Sequence, residues 1–350
     1  MPSSYATAEG TARYAARFPR HQANSFFRRA QDLTVSSLGI GSYLGNIDDA
    51  TDAGYLAAVQ AAVRGGVNFI DTSLNYRHQS SERNIGAALA ALFAEGAAQR
   101  DEVVLCTKAG YLIPNAFPGS KISPADVVGR MHCMTPPFLE DQLERSLANL
   151  RVETIDVLYL HNPETQLEFV DRAEFGRRTR AAFEALEREA SRGRIRYYGA
   201  ATWNGFRTKS ADEGLSLTRM EALARDVAGD AHRFRFIQLP FNLAMLEGAA
   251  IAREHVGGSQ VSTLDAAVAL GITAVASASI FQARLSRGLP DEVARALPGL
   301  DTDAQRAIQF ARSAPGISVA LVGMSKVAHV EENLGVAAVA PDSLAAWFRR

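Results

Sequence analysis

The 350-residue chain is poor in cysteine, with Cys106 and Cys133 alone. Two cysteines are too few for a disulfide framework, and their spacing matches no metal-ligand pattern, so they read as reduced thiols. An excess of charge of either sign is missing too: 37 Lys and Arg stand against 38 Asp and Glu, a formal net charge of -1. No global field therefore draws the chain to nucleic acid or to an anionic membrane. No uninterrupted apolar run reaches the roughly 20 residues that cross a bilayer, and residues 1–20 lack the apolar core of an export signal. These absences set the expectation of a cytoplasmic protein with neither a membrane nor a nucleic-acid partner. They leave the oligomeric state open.

What is present suits a globular enzyme. Hydrophobic residues make up 47% of the chain and charged residues 21%, enough to fill a sizeable core. Residues 1–32 are polar, with arginines and scattered aromatics, and read as an N-terminal extension to a single domain over 33–350. From Leu33 onward, short β-branched or apolar runs alternate with longer Ala/Leu/Glu/Arg segments. That rhythm predicts βα units around a parallel sheet. Strands are expected at residues 35–40, 67–71, 103–107, 155–160, 195–199, 234–239, 272–276 and 318–322. Helices are expected at 52–64, 81–95, 137–150 and 174–192, the third carrying Leu139, Leu143, Leu147 and Leu150 at helical spacing. Glycines just before strands, at Gly65-Gly66 and Gly193, suit left-handed helix ends. Eight strands with helical connections imply an α/β fold of the TIM (β/α)8 barrel type. The rival, an open doubly wound sheet, needs a glycine-rich turn that opens a helix. Gly39, Gly41 and Gly45 have the wrong spacing for it, and no helix begins on them.

A barrel places its active site at the C-terminal ends of its strands. Long connections follow the third, sixth and seventh strands on that side, at residues 111–134, 240–260 and 280–303. The second strand ends in Asp71, the third in Lys108 and the fourth in His161, with Tyr76 shortly after Asp71. Taken singly, each reads as a cap, a solvated charge, a satisfied polar group or loop packing. Together they have a chemical logic. A phenol with a pKa of about 10 is a poor acid at neutral pH unless its phenolate is stabilised. A nearby ammonium does that, and a carboxylate keeps the ammonium charged. A histidine can orient a carbonyl or assist proton transfer. That set suits carbonyl reduction, for which a hydride must come from a cofactor.

The run Gly66-Val67-Asn68-Phe69-Ile70-Asp71-Thr72-Ser73-Leu74-Asn75-Tyr76, continued by Ser81-Glu82-Arg83-Asn84-Ile85-Gly86, resembles the aldo-keto reductase signature. Further stretches resemble that family in the same order: Val104 to Lys108, Ile155 to His161, Gly193 to Gly199, Phe236 to Asn242, and Gly323 to Ser325 with His329 to Leu334. The resemblance covers roughly residues 33–340. It implies an NAD(P)H-dependent oxidoreductase that reduces an aldehyde or ketone to an alcohol, with a small-molecule carbonyl as substrate. Asp71, Tyr76, Lys108 and His161 would be catalytic, Tyr76 as the general acid. Gln238 would hold the nicotinamide carboxamide, and Ser325, His329, Glu332 and Asn333 would lie around the adenosine end. Ser42, Tyr43, Asp71, Thr202, Ser277 and Ile280 complete the cofactor set. Tyr43, Tyr111, Trp203 and Phe281 are the expected substrate wall. NADPH is the expected cofactor, with NADH as the alternative, and no metal is implied.

The chain also departs from the family pattern. Ala201-Thr202 stand where Ser followed by Asn or Arg is usual after the fifth strand, which leaves the Thr202 hydroxyl to bind the carboxamide. Ser277-Ala278-Ser279-Ile280 replace an aromatic followed by Ser-Pro-Leu, so the ring that stacks on nicotinamide is missing there and Phe281 is the nearest substitute. Such a ring contributes about 1 kcal/mol. His329 stands where Arg or Gln is usual, which leaves Lys326 as the nearest cation for a 2′-phosphate. The altered nicotinamide pocket and the N-terminal segment motivate a second reading. In that reading the chain is a cofactor-binding sensor or regulatory subunit on the same scaffold, with little turnover.

Overall fold

The computed structural model describes residues 4–113 and 122–341. The chain opens with helices α1 (Ala8–Ala16) and α2 (Pro19–Ala23), then an antiparallel hairpin of β1 (Phe27–Ala30) and β2 (Leu33–Ser36). Next come β3 (Leu38–Gly41), α3 (Asp49–Arg64), β4 (Phe69–Asp71), α4 (Ser80–Ala94) and β5 (Val104–Ala109). They are followed by α5 (Pro136–Leu150), β6 (Ile155–His161), α6 (Arg172–Ser191), β7 (Ile195–Ala201), α7 (Leu217–Ala228) and β8 (Phe234–Pro240). A short helix α8 (Glu247–Ala250) and a second hairpin, β9 (Ala252–Val256) with β10 (Ser259–Ser262), lead to α9 (Thr263–Ala269) and β11 (Thr273–Ser277). The chain finishes with α10 (Asp291–Ala296), α11 (Asp303–Ser313), β12 (Ile317–Gly323) and α12 (Val327–Leu334).

β3 to β8, β11 and β12 form a closed parallel barrel in the order β11-β12-β3-β4-β5-β6-β7-β8. This is the expected (β/α)8 barrel. Its strands are buried on both faces, which is why they read as apolar runs rather than alternating ones. The alternation reappears in the packing. Phe69, Val104, Cys106, Val157, Tyr159, Phe236, Val275, Val319 and Leu321 fill the barrel interior. Their neighbours Ile70, Leu105, Leu158, Ile237, Ala274 and Ala320 join the helices outside. Gly199 is required by close approach: a Cβ there would lie 2.0 Å from Phe236 O and 3.1 Å from the Tyr159 ring.

The first barrel strand differs from its expected extent of residues 35–40. The chain breaks at Ser37, whose N–H donates to Phe26 O (2.7 Å) and whose carbonyl accepts from Ala320 N (2.8 Å). Residues before the break belong to the hairpin and those after it to the barrel. The hairpin closes the barrel's N-terminal end, where Ala30, Leu33 and Val35 join the interior cluster. Residues 4–32 pack on the same end, and the hairpin runs across the boundary expected at residue 33. Ala6 N donates to Asp156 Oδ1 (2.8 Å), Thr7 N to Asp101 O (3.0 Å), Arg13 Nε to the buried Glu102 (2.9 Å), and the Tyr14 hydroxyl to Val63 O. The segment is polar in composition because α1 buries one face only, carrying Tyr14, Ala15 and Thr11. No helix among the described residues is long and apolar enough to cross a membrane.

Candidate active site

Inward-facing positions recur every second residue along a strand. Two residues beyond Phe69 stands Asp71, two beyond Cys106 stands Lys108, two beyond Tyr159 stands His161, and two beyond Phe236 stands Gln238. The same parity that packs the interior thus delivers four polar groups to its C-terminal end. Lys108 and His161 lie within their strands rather than just after them.

Lys108 Nζ donates to Asp71 Oδ2 (2.5 Å) and to Thr72 O (2.7 Å), and Gln238 Nε2 donates to Asp71 Oδ1 (2.9 Å). Lys108 Nζ also sits 4.9 Å from the centroid of the Tyr76 ring. Burial pulls the Lys108 pKa down, but Asp71 and Tyr76 outweigh it and hold the ammonium above the ordinary lysine range. Burial pushes the Asp71 carboxyl up from its ordinary range, against the lowering pull of Lys108 and Gln238, and the two groups stand as a hydrogen-bonded pair. Tyr76 was expected to be made more acidic. Instead burial raises its pKa, against the lowering pull of Lys108, so the phenol stays protonated.

Tyr76 is held from three sides. Its ring packs edge-on to Tyr43 (5.0 Å between centroids) and to His161 (5.7 Å), and its N–H donates to Ser73 O (3.0 Å). The next three residues, Arg77, His78 and Gln79, all take left-handed backbone (φ 48°, 52° and 75°). Such conformations cost about 1–2 kcal/mol each in non-glycine residues. Arg77 offsets this: it is buried, donates to Asn46 O (2.7 Å) and Asp52, and lies over the Tyr55 ring (5.2 Å).

His161 is neutral, because burial and the adjoining Lys108 ammonium push its pKa well below the ordinary value. Its ring contacts Tyr111 (4.9 Å), and its backbone carbonyl accepts from His132 Nε2 (2.8 Å). Gly110 makes room for that contact: a Cβ there would meet His132 Nε2 at 2.8 Å. Burial lowers the His132 pKa to about 4.

These groups open on a cavity of about 680 Å³. Ser42, Tyr43, Asp71, Tyr76, Tyr111, His161, Thr202, Trp203 and Gln238 line one part of it. Ser277, Ile280, Ser325, His329, Glu332 and Asn333 extend it along the barrel rim. Lys108 stands behind the wall, touching the cavity through Asp71 and Tyr76. Phe281 corrects the expected substrate wall, for it does not line the cavity. A left-handed turn at Phe281, Gln282 and Ala283 (φ 47°, 52° and 69°) carries the ring to Arg284, whose guanidinium lies 5.1 Å from its centroid. Lys326 is not on the lining either, whereas Arg287 is. Of the expected loop 111–134, residues 114–121 lie outside the described residues.

Sequence reasoning missed several residues. Asn75 and Asn162 line the cavity, and Asn162 Nδ2 donates to the Tyr111 hydroxyl (3.0 Å). Glu164 Oε1 accepts from the backbone N–H groups of Trp203 (2.8 Å), Asn204 (3.0 Å) and Gly205 (3.1 Å), which holds Trp203 in place. Asn333 lines the cavity, and its buried Oδ1 has no hydrogen-bond partner among the described residues. Among the described residues, no group of His, Cys, Asp and Glu gathers in a way that could hold a metal ion.

The sequence profile of the Aldo/keto reductase family matches residues 37–221. The chain is similar to a D-threo-aldose 1-dehydrogenase of Pseudomonas, 31% identical over 49% of this chain and 51% of that protein. Thus the chain spans about half the length of the first curated relatives it matches. It is also similar to L-galactose dehydrogenase of Arabidopsis thaliana, 25% identical over 86% of this chain and 84% of that one. In fold it resembles an aldo/keto reductase from Klebsiella pneumoniae solved with NADP and acetate. There the TM-score is 0.64, with 21% identity, over 93% of this chain and 95% of that one.

Proposed function

The chain belongs to the aldo/keto reductase family, whose profile spans more than half of it, and we propose that it reduces an aldehyde or ketone with NADPH, Tyr76 acting as the general acid. One observation carries the reading: the Tyr76 phenol stands at the cavity between the Lys108–Asp71 pair and the His161 imidazole. The bound nicotinamide supplies the hydride that no side chain can provide. Gln238 spends its Nε2 on Asp71 and keeps Oε1 for a carboxamide N–H, with the Thr202 hydroxyl nearby. Asn333 Oδ1 is suited to an amino group of the adenine. Arg287, on the lining with Ser325, His329 and Glu332, is the cation for a 2′-phosphate and favours NADPH over NADH.

The proton on Tyr76 Oη passes to the substrate oxygen as that oxygen gains charge. Lys108 stabilises the phenolate left behind, and Asp71 keeps Lys108 charged and aimed. His161 orients the substrate beside Tyr76. Tyr43, Tyr111 and Trp203 wall off water.

The expected cytoplasmic location belongs to this reading. A second reading, a cofactor-binding sensor with little turnover, draws on Ile280 lining the cavity where no aromatic from the β11 loop does. Fluorescence titration with NADPH and NADH, followed by steady-state assay over a panel of aldehydes and ketones, separates the two. Saturable binding, tighter for NADPH, with carbonyl turnover is expected. Tight binding without turnover across the panel would favour the sensor.

A further inference from the structure

The connection after β8 is long and lies on the active-site side of the barrel, yet none of residues 241–262 lines the cavity. It folds into α8 and the β9–β10 hairpin, and the hairpin buries the Arg253 side chain completely. A buried guanidinium is costly unless its donors are met. Glu254 Oε1 stands 4.0 Å from its Nε and is engaged elsewhere, accepting from Leu217 N (3.0 Å) at the start of α7. The Arg253 fork instead donates to three carbonyls of the loop after β7: Gly205 O (3.0 Å), Ser210 O (3.2 Å) and Leu215 O (2.5 Å). Leu215 N also donates to Gly205 O (2.8 Å), so residues 205–215 form a compact loop with joined ends. Glu164 holds the same loop by its donors, and the two charged groups meet at Gly205. The Gly205 N–H donates to Glu164 Oε1 (3.1 Å), while its carbonyl takes Arg253 Nη1. A Cβ at Gly205 would lie 2.9 Å from the Leu215 side chain and 3.2 Å from the Glu164 carboxyl carbon. Two residues earlier stands Trp203, which lines the cavity and is 39% exposed. The backbone, more than packing, therefore sets where its ring stands.

We propose that Arg253 is a positioning residue for the substrate wall: from outside the cavity it clamps the loop that carries Trp203, so that the wall stands preformed before the carbonyl binds. The kinetic part of the proposal rests on the carbonyl-reductase reading. It gives the long connection after β8 a task at the site without a place on the lining. A preformed wall spares substrate binding the cost of ordering the loop. Without the guanidinium, three inward carbonyls lose their donor and the loop loosens. The loss falls on KM for the carbonyl rather than on kcat, because Asp71, Tyr76 and Lys108 belong to β4, to the segment after it and to β5.

Two measurements on the full chain test this. In the first, Trp347, the other tryptophan of the chain, is replaced by phenylalanine, and acrylamide quenching of Trp203 emission is measured with and without Arg253→Met. Arg253→Met should make Trp203 more readily quenched, and unchanged quenching overturns the proposal. The second takes kcat and KM for para-nitrobenzaldehyde in wild type, Arg253→Met, Trp203→Ala and the double variant. Arg253→Met should raise KM a few-fold, with kcat and NADPH affinity unchanged. In the Trp203→Ala background it should add nothing, because both changes act on one wall. Additive rises in KM, or a fall in kcat as large as the rise in KM, would show that Arg253 supports the barrel in general, and overturn the proposal. If wild type reduces no carbonyl at all, the reductase reading fails, and the quenching still decides whether Arg253 holds Trp203. Should Arg253→Met not fold, Arg253→Lys, which keeps the charge but lacks the planar fork, takes its place in both measurements.

Discussion

At the N-terminal end of the barrel, the interior ends in Ala30, Leu33 and Val35 of the first hairpin, packed against Phe69, Val104, Val157 and Phe236. At the C-terminal end, further inward positions on the same strands hold Asp71, Lys108, His161 and Gln238. Two residues along a strand thus separate an apolar interior from a set of polar groups, three of them ionisable. The hairpin plug is built from apolar side chains that need no partner, ringed by the buried carboxylates of Glu102 and Asp156, each held by an arginine. The mouth is built from groups that are costly to bury unless each is paired. Every one of the four is hydrogen-bonded; Asp71, His161 and Gln238 line the cavity, and Lys108 stands behind them. The floor should therefore carry stability without function, and the mouth function with its stability tied up in pairs.

Lys108→Met strikes that division hardest. It strips Asp71 of its cation at a fully buried position. Turnover should fall by roughly 10²–10⁴, and unfolding free energy by about 3–5 kcal/mol, as read by single-turnover kinetics and urea denaturation. A variant that lost activity alone would show that the pair is not needed for folding. Phe26→Ala attacks the packing beside the floor, where Phe26 joins the outer cluster rather than the barrel interior. The ring is fully buried and lies 5.6 Å below the Arg312 guanidinium. The change should cost about 3–5 kcal/mol, while NADPH affinity and kcat of the folded fraction stay at wild-type values. A changed cofactor Kd would break the comparison.

Acid sharpens it next. His132, braced against the mouth, has its pKa lowered to about 4. The unfolded chain takes up this proton first, near the ordinary histidine value of about 6.5. Stability from this group is therefore complete above that pH and is lost as the pH falls from it through 4, by up to about 3 kcal/mol. Urea midpoints between pH 7 and pH 4 should show the slope, and His132→Gln should flatten it. Trp203→Ala should do least. The ring is 39% exposed, so unfolding free energy should change by less than about 0.5 kcal/mol. KM for the carbonyl should rise a few-fold.

The mouth was more legible in the sequence than the floor. Asp71, Lys108 and His161 each end an apolar run, and period-two packing turns that position into an inward side chain. The floor carries no such mark. Ala6 reaches Asp156 across 150 residues, and α1 buries only a narrow face of a polar helix. The break at Ser37 depends on Phe26 and Ala320, which a local reading cannot join. Within the site, Glu164 and His132 escaped notice because they act on backbone groups of distant segments, the loop after β7 and the end of β6. Phe281 was misplaced because a left-handed backbone turns its ring away, which spacing alone does not reveal.

The account's central claim is that Tyr76 supplies the proton at this mouth. The direct test is single-turnover oxidation of bound NADPH by a carbonyl substrate in wild type and Tyr76→Phe, with cofactor affinity measured on both. The account expects affinity within a few-fold of wild type and hydride transfer slowed by roughly 10²–10⁴. Hydride transfer at the wild-type rate in Tyr76→Phe would contradict it.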